Sequence, residues 1–209
     1  MPQKEASARK GPSRIQQEKR AAIQEGALEV FSRHGFRGAT IDQIAAEAKI
    51  SKPNLLYYYA SKEAIHVELL TKLLATWLDP LRALNPEGDP VGEVLQYARR
   101  KLEISQKQPR ESRLFANEII QGAPRILPAI EGELRELVDN WAILIDGWVE
   151  QGRIRAIDPY HLIFSIWALT QHYADFDIQV STVLADKADR RFDDAETFLT
   201  TLYTRLLKP

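Results

Sequence analysis

The stretch "SKPNLLYYYASKEAI", residues 51–65, sets Ser51, Lys52, Pro53 and Asn54 ahead of three consecutive tyrosines and a second lysine, Lys62. These groups suit a nucleic-acid surface. An asparagine amide pairs with an adenine edge, a lysine reaches a guanine edge or a phosphate, and a tyrosine hydroxyl donates to a phosphate oxygen. Successive helical residues point about 100° apart, so three adjacent tyrosines cannot share one face. Tyr59 is expected to pack inward, leaving Tyr57 and Tyr58 for DNA. The alternative makes all three a core-and-boundary cluster.

A second constellation lies far along the chain. Trp167 and Gln171 are four residues apart and share a helical face. An indole beside a primary amide suits a flat heterocycle: the ring stacks, and the amide offers one donor and one acceptor side by side. Trp77 can lie over the same cavity. The plainer alternative makes both tryptophans core filler and ties Gln171 to a backbone carbonyl. His161, His172 and Asp175 invite a metal reading, but a catalytic zinc needs three ligands and an open position. The sequence holds no HExxH, phosphate loop, GxSxG or cysteine. Neither an enzyme nor a metal or other cofactor is expected, and His172 reads as a hydrogen-bonding group in a subunit interface.

The elements that must position these groups are helices throughout. Residues 1–14 read as a flexible basic arm, 15–62 as a DNA-binding module and 63–209 as a ligand-binding and dimerisation body. Ile23, Ala27, Val30 and Phe31 recur at helical spacing, with Gly35 as a stop. Thr40 can cap a short helix bearing Ile44 and Ala45, and Ser51 can cap the next, with Pro53 harmless in its first turn. Helix, tight turn, helix over residues 40–58 is the geometry that lays a short second helix in a major groove, its N-terminal residues at the base edges. Ser61 opens a long helix. The body shows helical patterns over about 90–107, 110–122, 127–152, 159–180 and 191–207, with no strand alternation. The last two are apolar on more than one face, so one face can meet the core and another a second subunit. His161, Phe164, His172, Phe176, Phe198 and Leu202 are the candidate interface residues. A two-fold dimer would read a palindromic DNA operator.

Charge supports that division. Residues 1–62 carry 11 basic and 6 acidic side chains, net +5; the remaining 17 basic and 23 acidic leave the body at -6. A basic front on an acidic body is expected where only the front meets a polyanion. The acidic, aromatic-containing body argues against a purely structural nucleic-acid protein. There is no signal-peptide pattern and no uncharged apolar run of membrane-spanning length, so a soluble cytoplasmic protein without membrane association is expected.

"TIDQIAAEAKISKPNLLYYYASKEAI" resembles the DNA-binding signature of the TetR family of bacterial transcriptional regulators. The resemblance implies an all-α homodimer with an N-terminal helix-turn-helix, a C-terminal ligand-binding domain, and DNA contacts at Thr40, Lys52, Tyr57, Tyr58 and Lys62. The turn departs from the family pattern, with Lys49 where glycine is usual; a left-handed lysine there costs on the order of 1 kcal/mol. "WLDPL", "SRLF", "GAP", "GWVEQG" and "IDPYHLIFSIWALTQHYADF" are similar to the Rut pyrimidine-utilisation repressor branch of that family. That implies a repressor answering to uracil or thymine, with Trp77, Trp167 and Gln171 in the pocket and Leu74, Leu78 and Phe115 as apolar walls. Asn117 and Gln121 stand where the branch is more apolar; either one in the cavity would admit a different or larger heterocycle. A TetR regulator answering to an unrelated hydrophobic or aromatic ligand is the alternative.

Overall fold

The computed structural model describes residues 13–209, all helix and connections with no strand among them. The expected basic arm lies outside the described residues apart from Ser13 and Arg14, which begin the first helix. The chain divides into two compact units, one ending at His66 and the other running Val67–Pro209.

In the first unit α1 spans Arg14–Gly38, α2 Ile41–Glu47 and α3 Lys52–Tyr58, and the unit ends in the first turns of α4, Lys62–Arg82. Each start has a chemical cause. Ser13 and Gln16, and again Thr40 and Gln43, form reciprocal capping boxes, and Ser51 accepts from the Asn54 N–H. Gly35, expected as a stop, leaves helical geometry at φ 64°, ψ 176°, and a further short helical turn carries α1 to Gly38. Gly26 answers a close approach: a Cβ there would meet the backbone nitrogen of Ala48 at 2.9 Å, so only glycine lets α1 and the end of α2 come together. Ile23, Ala27, Phe31, Ile44 and Leu55 are buried at their centre. Leu55 alone contributes roughly 2 kcal/mol by leaving water, and it fixes which face of α3 is turned in.

The second unit holds the rest of α4 and α5 (Pro90–Lys107), α6 (Pro109–Ile120), the single turn α7 (Leu127–Ala129), α8 (Arg135–Glu150), α9 (Pro159–Asp175), α10 (Asp177–Leu184) and α11 (Arg191–Leu207). Asp89–Pro90 and Asp158–Pro159 start α5 and α9 alike: the aspartate caps, and proline fills the first helical position where no N–H is needed. α9 is the central helix, packed against α5, α6 and α8. Leu78, Val94, Tyr97, Ile145, Trp148, Ile166 and Tyr203 are core residues of this unit.

Two expected helices are broken. The 127–152 pattern divides at a π turn, Ile130–Leu134, where Gly132 leaves helical geometry at φ -91°, ψ -107°. The 159–180 pattern stops at Asp175, because Phe176 adopts φ -115°, ψ 29° before α10 begins. No glycine or proline marks that second break, so apolar periodicity runs straight through it.

Candidate functional site

In the first unit Ser51, Lys52, Pro53 and Asn54 are exposed together at the N-terminus of α3, and Thr40 is exposed at that of α2. Tyr57 is 74% exposed and Tyr58 half-buried, their rings edge to face with centroids 5.2 Å apart. Tyr59 is buried, but not through helical spacing: it follows α3 in an extended conformation at φ -136°, ψ 121°, its hydroxyl accepts from Gln24 at 2.9 Å and the Arg20 guanidinium lies 4.5 Å from its ring centroid. Lys49 has φ 54°, the strained left-handed turn expected of it. Lys52 pairs with Asp42 at 2.9 Å across the turn, both ends in water, where such a pair is worth at most about 1 kcal/mol and a phosphate can compete. Lys62 is held differently from Lys52. Its Nζ donates to the carbonyls of Phe36 and Ala39, each at 2.7 Å, and sits 4.4 Å from the Phe36 ring centroid. It thereby closes the C-terminus of α1 with two of its three donors.

The second unit has a partly open cavity of about 50 Å³ lined by Leu74, Trp77, Leu78, Leu81, Tyr97, Lys101, Phe115, Leu134, Trp167 and Gln171. Every candidate ligand residue named from the sequence is on its wall. Trp77 and Phe115 are tilted against each other with centroids 4.7 Å apart. Trp167 spends its Nε1–H on the Tyr97 hydroxyl at 2.6 Å, so Tyr97 keeps its own proton to donate. The Nε1 of Trp77 is buried with no partner among the described residues. Gln171 makes no hydrogen bond through its amide to any described residue, so the backbone-carbonyl alternative is not what the structure contains.

Tyr97 and Lys101 were not foreseen from the sequence. They lie four apart on α5 and so share its inner face, a spacing that was the one available signal. Burial holds the Lys101 ammonium down to about 8, opposed by the negative charge of Asp175. Burial likewise raises Tyr97, against the hydrogen bond from Trp167. The Asp175 carboxyl is raised by its own burial, although Ser112 donates to it at 2.5 Å.

A larger chamber of about 760 Å³ adjoins the cavity and shares Phe115, Leu134, Trp167 and Gln171 as walls. Asn117, Arg113, Asp175 and Phe176 line it; Gln121 lines neither space.

Elsewhere in this unit, His161, Phe164, His172, Phe176 and Phe198 are exposed and Leu202 is half-buried. The His172 ring stacks on Phe176 at 5.0 Å. Among the described residues no group of three or more His, Cys, Asp or Glu is placed to hold a metal, and no helix is long and apolar enough to cross a membrane.

A capped helix-turn-helix in one unit and an all-helical body with a small lined cavity in the other are the parts of a ligand-responsive DNA-binding regulator. Residues 23–69 match the bacterial regulatory proteins of the tetR family, and residues 70–209 match the YcdC-like protein C-terminal region. The chain belongs to the TetR family of transcriptional regulators. It is 47% identical over 171 residues to the HTH-type transcriptional regulator RutR of Escherichia coli strain K12, covering 82% of this chain and 81% of that one. Two solved structures share the fold: a transcriptional regulator from Streptomyces coelicolor (TM-score 0.69, 23% identity, 91% of this chain and 99% of that one) and a TetR-like regulator from Rhodococcus sp. RHA1 (0.66, 20%, 94% and 97%). These relatives are regulators, not enzymes. TetR regulators bind operator DNA and small-molecule effectors, typically as dimers.

Proposed function

We propose that this protein is a cytoplasmic repressor whose effector is a pyrimidine base, uracil or thymine, and that it binds a palindromic operator as a homodimer. The observation that carries the effector assignment is the uncommitted Gln171 amide in a cavity otherwise walled by rings, leucines and Lys101. Uracil is planar, and its imide edge alternates acceptor and donor, which one carboxamide matches. The remaining polar groups of the lining, the Tyr97 hydroxyl and the Lys101 ammonium, are donors, and they suit a ring with two exocyclic oxygens. Resemblance to the pyrimidine branch and the 47% identity to RutR support the same reading.

The cavity volume adds a mechanism. At about 50 Å³ it has room for a few waters but is tight for a six-membered ring, so binding must displace a wall. Trp77 is such a wall, and it belongs to α4, the helix that begins at Lys62 in the DNA-binding module. Ligand then favours one position of α4 over another and alters the spacing of two recognition helices that must fall about 34 Å apart on B-DNA. It does so by its differential affinity for the two states.

Isothermal titration with uracil, thymine and adenine tests the assignment. Micromolar binding of a pyrimidine but not adenine, lost in Gln171→Ala while operator binding by the free protein persists, is the expected result. Absence of pyrimidine binding sinks the effector assignment. The adjoining chamber of about 760 Å³, with Asn117 on its wall, favours a second reading in that case: a larger aromatic ligand spanning both spaces.

A further inference from the structure

Lys101 lies on α5 one turn beyond Tyr97 and is only 5% exposed. Its Nζ stands 4.6 Å from the centroid of the Trp77 ring, on the wall of the inner cavity. Among the described residues no oxygen accepts a hydrogen bond from it. The nearby carboxylate that attracts it, Asp175 on α9, is hydrogen-bonded to Ser112 instead. A buried ammonium ordinarily has both a counter-charge and hydrogen-bond acceptors, because leaving water without them is strongly unfavourable. Beside it the buried Nε1–H of Trp77 also lacks an acceptor. One unfilled cationic donor thus lies on the wall of a small space to which, among the described residues, the Gln171 carbonyl and the Tyr97 hydroxyl bring acceptors.

We propose that Lys101 is an effector-binding and specificity-determining residue: its ammonium takes an exocyclic oxygen of the ring, and the pocket therefore prefers acidic, readily ionised heterocycles over neutral ones of the same shape. The inference rests on the pyrimidine reading for the shape of the ring and goes beyond it in assigning the charge. Gln171 recognises the donor and acceptor alternation of an imide edge; Lys101 recognises electron density on an oxygen. In the free protein the π face of Trp77 attracts the ammonium and stands in for an acceptor. Burial also depresses the lysine to about 8, which leaves the cation present at neutral pH.

The test is calorimetric titration of the full chain with uracil and with barbiturate, the same ring bearing a third carbonyl and ionised at neutral pH, on the wild type and Lys101→Met. A thermal melt checks that the variant is folded, and Lys101→Gln serves as a second neutral replacement. The expected result is barbiturate binding about tenfold or more tighter than uracil, with the preference gone in the neutral variants. Equal affinities in the wild type, or an unchanged ratio in Lys101→Met, overturn the role of Lys101 and leave the pyrimidine reading standing. Benzoate and benzamide separate the other failure. If neither pyrimidine binds but benzoate is preferred to benzamide and Lys101→Met removes the preference, the pyrimidine reading falls and the lysine assignment holds. Binding of none of the four overturns both.

Discussion

The indole of Trp167 on α9 donates a 2.6 Å hydrogen bond to the Tyr97 hydroxyl on α5, joining two helices beside the small cavity of the second unit. Both rings border that space. The bond fixes the plane of Trp167, because rotating the indole would leave a buried N–H without an acceptor. Tyr97→Phe removes only the acceptor oxygen. The variant is expected to lose about 1–3 kcal/mol of stability. It should also bind pyrimidine more weakly, since the stacking wall is no longer held. Chemical denaturation and titration of the same sample check both; unchanged stability would show that Trp167 finds another partner.

The two lysines of the DNA-binding module should behave differently. Lys52 is exposed and paired only with Asp42, so Lys52→Gln is expected to lower the magnitude of the slope of log affinity against log salt by about 0.9, one phosphate contact. Lys62 closes the end of α1 through two carbonyls. Lys62→Gln is expected to cost about 2 kcal/mol of stability through lost charge-assisted bonds while leaving that slope unchanged. Operator titrations across a salt series, with melts alongside, separate the two; a flattened slope in Lys62→Gln would restore it as a phosphate contact.

The contrast between those lysines shows where sequence reading stops. Caps are legible because Ser and Thr act on the backbone only a few residues away, so Thr40, Ser51 and the short helices behind them follow from local spacing. The inward turn of Tyr59 is expected from helical spacing, but the chain reaches it by leaving the helix after Tyr58. The fate of Lys62 depends on carbonyls more than 20 residues earlier in the chain, and no local pattern encodes it. Lys101 is harder still: a lysine in an amphipathic helix reads as solvated, and only its burial beside the Trp77 ring reverses that. The break at Phe176 has no glycine or proline to mark it, whereas the π turn falls at Gly132, a residue that could have signalled it.

The exposed aromatics of α9 and α11 predict the assembly. Phe164 is 46% and Phe198 54% exposed in the single chain, an arrangement that a second subunit would cover. A chain carrying Phe164→Glu and Phe198→Glu is expected to sediment as a monomer at concentrations where the wild type is a dimer. It should also lose operator affinity by several orders of magnitude, because each monomer then holds a single half-site. A double variant that stays dimeric would place the interface on another face.

Lys101 also gives the free protein a characteristic pH dependence. Its folded-state pKa, about 8, lies below the 10.5 of an exposed lysine. Between those values the unfolded chain binds a proton that the folded chain has released, so stability rises with pH across the window. The full displacement corresponds to about 3 kcal/mol. Tyr97 acts in the opposite sense: burial raises it, so above about pH 10 the unfolded chain releases a proton the folded chain keeps, and stability falls. Urea midpoints measured from pH 7 to 11 should therefore climb above pH 8 and turn over above pH 10. In Lys101→Met the climb should vanish while the later fall persists. A saturating acidic effector should flatten the climb in the wild type as well, since an oxygen bound to the ammonium keeps Lys101 protonated. A climb that survives Lys101→Met would assign the titration to some other group.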